Sequence, residues 1–244
     1  MLPRFIPILL LKNGGLVKGV RFTAHNYVGD PMNAVRIFNE KNVDELFLLD
    51  ITATAEHRAP DPAIVQQIAD ECYMPFGIGG GIHTVEQMRA LLRAGAEKVS
   101  INTAAIENPQ LIQDASREFG AQSVTVAMDV VRNWRGRYAV RSRAGSRKTN
   151  LEPVAWAQRV AELGAGEILL TSIDRDGTGQ GYDLALTRAV ADAVNIPVVA
   201  CGGAGTTADL DTVVTEGHAA AAAAGSLFVF HGPHRAVLIN YPSR

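Results

Sequence analysis

Four aspartates, Asp50, Asp129, Asp174 and Asp176, fall at or just beyond the ends of apolar runs. A carboxylate at the end of a buried strand can act as a general acid or base once burial or a neighbouring charge moves its pKa. Asp129 closes the run 124–128 and shares parity with Thr125 and Ala127, so it is expected to point into a strand-end mouth. The structural alternative is an aspartate that caps the following loop. For Asp174-Arg175-Asp176-Gly177 it is a salt-bridged turn.

Two glycine-rich segments, Gly79-Gly80-Gly81-Ile82-His83-Thr84 and Gly202-Gly203-Ala204-Gly205-Thr206-Thr207, each join an apolar run to a helical pattern. Glycine lets the backbone approach a ligand closely, and the N–H groups that open a helix carry partial positive charge. The neighbouring turns Asn102-Thr103 and Gly225-Ser226 would add donors. One such loop is equally well a tight turn. Two copies half a chain apart predict two phosphate sites facing each other. Such a mouth fits a substrate with phosphate at both ends, or a sugar phosphate joined to a nucleotide. Arg4, Glu45, Lys98 and Glu167 stand at the opposite ends of their runs. Two positives and two negatives there can close a ring of ion pairs, or simply stabilise that face.

The elements that must position these residues are regular. Apolar runs at 6–11, 46–51, 76–78, 99–101, 124–128, 168–171, 198–201 and 219–224 are rich in Ile, Val and Leu without strict alternation. That is how strands buried on both faces read. Amphipathic stretches lie between them. Asp30-Pro31, Asp61-Pro62 and Asn108-Pro109 read as a cap followed by proline at the first helical position. Gly95, Gly120, Gly164 and Gly217 read as left-handed C-caps. Asp50 is echoed by Asp174, the first glycine turn by the second, and Ser100-Ile101-Asn102-Thr103 by Gly225-Ser226, at offsets of about 123 residues. Two equal four-unit halves, about 1–121 and 122–244, predict one (β/α)8 TIM barrel with a twofold half-barrel repeat. Insertions at 12–29 and 132–150 follow strands one and five. They are expected on the catalytic face as lids or substrate walls.

Composition narrows the classes. The chain has 244 residues, 47% hydrophobic and 20% charged, enough for one full core. A net charge of −2 speaks against nucleic acid. The apolar opening at residues 1–7 is too short to span a bilayer, and no leader or membrane partner is expected. Cys72 and Cys201 read as free thiols of a cytoplasmic protein. No metal or cofactor is predicted.

The segments Gly79–Ile82, Lys98–Ala105, Gly164–Thr178 and Gly202–Gly205 resemble the HisA/HisF family, and within it the cyclase subunit of imidazole glycerol phosphate synthase. The resemblance runs from about residue 4 to 230. It implies a HisH-like glutaminase docked on the N-terminal barrel face and ammonia passing through the barrel. At the mouth the ammonia would meet a phosphorylated ribonucleotide. It implies Arg4, Glu45, Lys98 and Glu167 as the gate of the ammonia channel, and Asp129 as the acid of a cyclase pair. Lys18 and Asn102 become substrate contacts. Asp50, Gly80, Gly81, Thr103, Asp174, Asp176, Gly177, Gly202, Gly203, Gly225 and Ser226 complete the expected binding set.

The chain departs from that pattern at strand one. The family places its main acid–base aspartate in Pro-Cys-Leu-Asp-Val-Lys; here the stretch is Pro7-Ile8-Leu9-Leu10-Leu11-Lys12. Leu10 cannot move a proton. The loop at 27–31 differs, and the sequence from Phe230 onward leaves no room for the family's longer last helix. These departures resemble a paralogous branch that works with a glutaminase and an ATP-dependent sugar amidotransferase in acetamidino modification of surface-polysaccharide sugars. The alternatives are a true cyclase of histidine biosynthesis and a non-catalytic docking subunit.

Overall fold

Eight apolar runs become eight parallel strands in a computed structural model that describes residues 3–242. Met1 and Leu2, which begin the apolar opening, and Ser243 and Arg244 lie outside the described residues. The barrel strands are β1 (Arg4–Lys12), β2 (Leu46–Asp50), β3 (Phe76–Gly79), β4 (Lys98–Ile101), β5 (Val124–Arg132), β6 (Glu167–Ser172), β7 (Val198–Cys201) and β8 (Ala221–Ala224). Each pairs with its sequence neighbours, and β8 pairs with β1, so the sheet closes on itself. This is a (β/α)8 barrel.

The helices between strands are α1 (Pro31–Glu40), α2 (Pro62–Glu71), α3 (Val85–Arg93), α4 (Thr103–Glu107), α5 (Gln110–Phe119), α6 (Pro153–Glu162), α7 (Leu184–Ala191), α8 (Thr207–Thr215) and α9 (Ser226–Val229). Asp30 and Asp61 cap α1 and α2 through Asn33 N and Ala63 N, with proline at the first position, as their dipeptides predict. Asn108-Pro109 is different: Pro109 itself is the N-cap of α5, and Asn108 ends α4. The chain reaches residue 108 from a helical turn rather than a loop, which shifts the expected cap by one residue. Gly95, Gly120 and Gly164 take positive φ, but at the end of α8 His218 does so, at 58°. Gly217 instead allows close approach to Val213, whose carbonyl would lie 2.5 Å from an added Cβ.

The two insertions are hairpins rather than irregular loops. Gly15–Val20 pairs with the end of β1 and with Thr23–Gly29. Tyr138–Ser142 pairs with β5, which runs to Arg132, four residues past its apolar run. The segment after α9 folds into a short hairpin, Phe230–His231 with Ala236–Val237.

Side-chain parity divides the core. Outward strand residues such as Leu46, Ile78, Val99 and Val126 pack against helix residues such as Phe38 of α1. Inward residues Ile6, Ile8, Phe47, Leu169, Val199, Ala221 and Ala223 fill the bore, with Leu10, Leu49, Ala127 and Cys201 toward the mouth. Fully burying an aliphatic or aromatic side chain contributes about 1.5–3 kcal/mol. Truncating Phe38, 0% exposed, to alanine would therefore cost about 3–5 kcal/mol.

Candidate functional site

Lys98 and Ser100 on β4, and Asn102 just past its end, alternate with the outward Val99 and Ile101, and so share the bore. The same parity lines up Glu45, just before β2, with Phe47 and Leu49 on it, Thr125, Ala127 and Asp129 on β5, and Glu167, Leu169 and Thr171 on β6. One end of the bore is thus charged, its middle mostly apolar, and its other end polar.

The charged end is a closed four-membered ring. Arg4 pairs with Glu45, and with Glu167 at 2.5 Å. Lys98 Nζ donates to Glu167 Oε2 at 3.1 Å. It also lies 2.6 Å from Glu45 Oε1 as an ion pair without hydrogen-bond geometry. Glu45 and Glu167 are 3% and 5% exposed, so neither carboxylate has water as a substitute partner. Beyond the ring, Ser100 Oγ and Thr125 Oγ1 are buried with no hydrogen-bond partner among the described residues. Sequence alone assigned neither hydroxyl a role, although the parity of Lys98 and Asp129 points to both.

The other end opens into a cavity of about 190 Å³. Of the predicted binding residues, Lys18, Asp50, Gly80, Gly81, Asn102, Thr103, Asp129, Asp176, Gly225 and Ser226 line it. Leu10, His25, His83 and Cys201 line it too. His25 arrives on the first hairpin, whose path over the mouth no local pattern announces.

Burial pushes the Asp129 carboxyl up to about 7, with the Asp176 carboxylate adding to the rise. The hydrogen bond from Asn102 Nδ2, at 2.8 Å, opposes it. Asn102 Oδ1 is buried and unpartnered, an acceptor left for a ligand. Burial likewise lowers Lys18 to about 8, against the attraction of Asp176. Its ammonium donates to Ile8 O and lies against Gly225. Asp176 is raised, chiefly by burial. Burial drives the Cys201 thiol to about 12, which makes it unreactive at neutral pH. Asp129 can therefore hold or release a proton near pH 7.

Leu10 occupies the half-barrel counterpart of Asp129. Leu10 is level with Leu49 on β2, and Asp129 is level with Thr171 on β6, the corresponding strand of the second half. The carboxylate has no twin.

Elsewhere the twofold repeat holds closely. Gly80 and Gly203 have φ of 111° and 119°, and an added Cβ would lie 2.1 Å from Asp50 O and 2.2 Å from Gly181 O. Asn102 and Gly225 share a backbone conformation, φ/ψ −123°/−75° and −104°/−69°. The expected anion donors are redistributed, however. At α3, Gln87 Oε1 accepts from His83 N and Thr84 N. At α8, Asp209 Oδ2 accepts from Gly205 N and Thr206 N. Gly81 N is taken by Thr54 Oγ1. The shorter helices α4 and α9, which open at Asn102 and Gly225, have no side-chain cap. Asn102, Thr103, Gly225 and Ser226 line the mouth, and no side-chain cap claims the first N–H groups of these helices.

Several expected contacts do other work. Asp174 is exposed and outside the cavity, with Oδ2 accepting from Arg132 N at 2.6 Å. It braces the second hairpin. Asp50 lines the mouth, but Oδ1 accepts from Thr52 and Ala53, and Oδ2 pairs with Arg58 at 2.6 Å. Gly177, Gly202 and Gly203 do not line the cavity. Gly177 packs against Gly19 of the first hairpin, and Gly202 and Gly203 shape the turn behind it. Among the described residues no group of three or more His, Cys, Asp or Glu is placed to hold a metal ion. Among them, too, no helix is long and apolar enough to cross a membrane.

The family described as histidine biosynthesis protein matches residues 4–233. A Pseudomonas aeruginosa protein provisionally named imidazole glycerol phosphate synthase subunit hisF2 is 51% identical over 239 residues, 98% of this chain and 95% of its own length. The imidazole glycerol phosphate synthase subunit HisF of Alkaliphilus metalliredigens is 50% identical over 228 residues, 93% of this chain and 90% of its own. A Leptospira interrogans protein, also provisionally named as that subunit, is 46% identical over 243 residues, covering 99% and 96%. A barrel with this mouth, this charged ring and these relatives belongs to the histidine biosynthesis protein family.

Proposed function

We propose that this chain is the ammonia-delivering barrel of a glutamine-dependent amidotransferase complex. A glutaminase docks on the N-terminal face, ammonia crosses the bore, and a phosphorylated sugar or nucleotide receives it at the mouth. The reaction served is acetamidino modification of a surface-polysaccharide sugar, activated by an ATP-dependent partner in the cytoplasm. The observation that carries the reading is the pairing of an intact ion ring with Leu10 in the place of a second carboxylate. A bore lined by apolar groups with two unpartnered hydroxyls suits neutral ammonia and opposes a desolvated ammonium ion. The ring is closed here, so passage requires one ion pair to swing aside.

A second reading keeps the cyclase of histidine biosynthesis. It is favoured by Asp129 titrating near 7 beside Asn102, and by the repeated turns at the mouth. A docking subunit that passes no ammonia needs neither feature. The discriminating assay supplies the cyclase's ribonucleotide with saturating ammonium salt. The proposal expects no turnover at ordinary enzyme rates, because positioned proton transfer is worth about 10²–10⁴ in rate. Ordinary turnover would return the chain to the cyclases.

A further inference from the structure

The second hairpin carries an unusual concentration of charge. From residue 130 to 151 there are seven arginines and lysines and no aspartate or glutamate, in a chain whose 25 acids outnumber its 23 Lys and Arg. Among the described residues only Arg143 and Arg147 find a carboxylate, and both share Glu107. Arg132, Arg135, Arg137, Arg141 and Lys148 have none. At the tip Trp134 is 86% exposed, with the Arg135 guanidinium 4.5 Å above its ring.

This tip is held rigidly. Asn133 Oδ1 accepts from Arg135 N and Arg137 N, and Asn133 N donates to Arg137 O. Arg132 Nε donates to Gly136 O, and its guanidinium lies 5.6 Å from the Tyr138 ring. Tyr138 OH is fixed by both Asp183 carboxylate oxygens at the start of α7. An aromatic ring left in water on a braced turn is a pre-organised anchor, and tryptophan and arginine dominate interface hot spots. β5 carries Arg132 three residues past Asp129, about 10 Å beyond the mouth at about 3.3 Å per residue.

We propose that this tip, Trp134 with Arg132, Arg135 and Arg137, docks an acidic face of a second protein that seats over the mouth. Charge complementarity selects the partner: unpaired guanidinium groups call for carboxylates, and the ring needs a shallow apolar notch among them. A nucleic acid would need a continuous basic track, whereas here the cations crown one turn of an otherwise acidic chain. That the docked protein receives the ammonia rests on the function proposed above; the docking itself does not.

The test uses the full chain and a random glutamate–tyrosine copolymer as the acidic probe. Trp134 and the buried Trp156 are the chain's two tryptophans, so a blue shift on binding reports the tip. The expected result is a saturable shift at low salt, weakened by added salt. It should be absent in Trp134→Phe and at least about tenfold weaker in Arg135→Glu/Arg137→Glu. Emission of Trp156 in Trp134→Phe checks that the fold is intact. Three results would overturn the proposal: no shift, unchanged affinity in the double variant, or tighter binding of oligothymidylate or phosphatidylserine vesicles. None of them bears on ammonia delivery, which the ribonucleotide assay reads separately.

Discussion

Asp129 is a buried carboxyl whose proton binds more tightly in the folded chain than in the unfolded one. Its contribution to stability is therefore full below pH about 4 and is lost as pH rises through about 7. Asp129→Asn should flatten the fall in stability across that window, read as urea midpoints at pH 4.5 and 7.5; an unchanged slope would place the titration elsewhere. Its counterpart position makes the converse experiment. Leu10→Asp puts a second carboxyl against Leu49 and Leu169, so it should cost about 1–3 kcal/mol and restore a trace of ribonucleotide cyclisation. Asp129 and Leu10 were both legible in the sequence, one from parity and one from the altered strand-one stretch. Asp174 was not. A turn of alternating Asp and Arg gives no sign of which carboxylate faces the mouth and which holds the Arg132 amide.

Strands and turns carry the next level. Gly80 and Gly203 occupy matching positions with positive φ and a carbonyl where a side chain would begin. Gly80→Ala and Gly203→Ala should each cost at least about 1–3 kcal/mol in urea unfolding, by matching amounts. A large cost at one turn alone would break the symmetry of the mouth. In the ring, Lys98→Met leaves Glu45 and Glu167 to share Arg4. Removing one partner of a buried network should cost about 3–5 kcal/mol in urea unfolding. The barrel strands showed themselves as apolar runs because both their faces are buried. The hairpins did not, since Gly15–Val20 and Tyr138–Ser142 are held by pairing to β1 and β5 rather than by an apolar pattern of their own. The uncapped starts of α4 and α9 were legible only as turns, because nothing local says that Gln87 and Asp209 claim the first N–H groups of α3 and α8.

At the scale of the molecule, two half-barrels share one bore with a charged floor and a polar rim. The repeat made the closed barrel readable, because equal halves with matched turns have no reason to recur in an open sheet. What broke the repeat, Leu10 opposite Asp129, is the feature on which the proposed choice of ammonia delivery over cyclisation rests. Crystals grown with phosphate should hold an ion at the mouth of α4 and another at α9; one empty side would remove the bisphosphate reading. The most direct measurement follows the nitrogen itself. Glutamine labelled with 15N in its side-chain amide is supplied to the glutaminase partner, this barrel and the acceptor system, in excess unlabelled ammonium. The product should carry the label in the wild type and lose it to the unlabelled pool in Lys98→Met. Equal dilution of the label in both proteins would mean that ammonia reaches the mouth through solvent and not through the barrel.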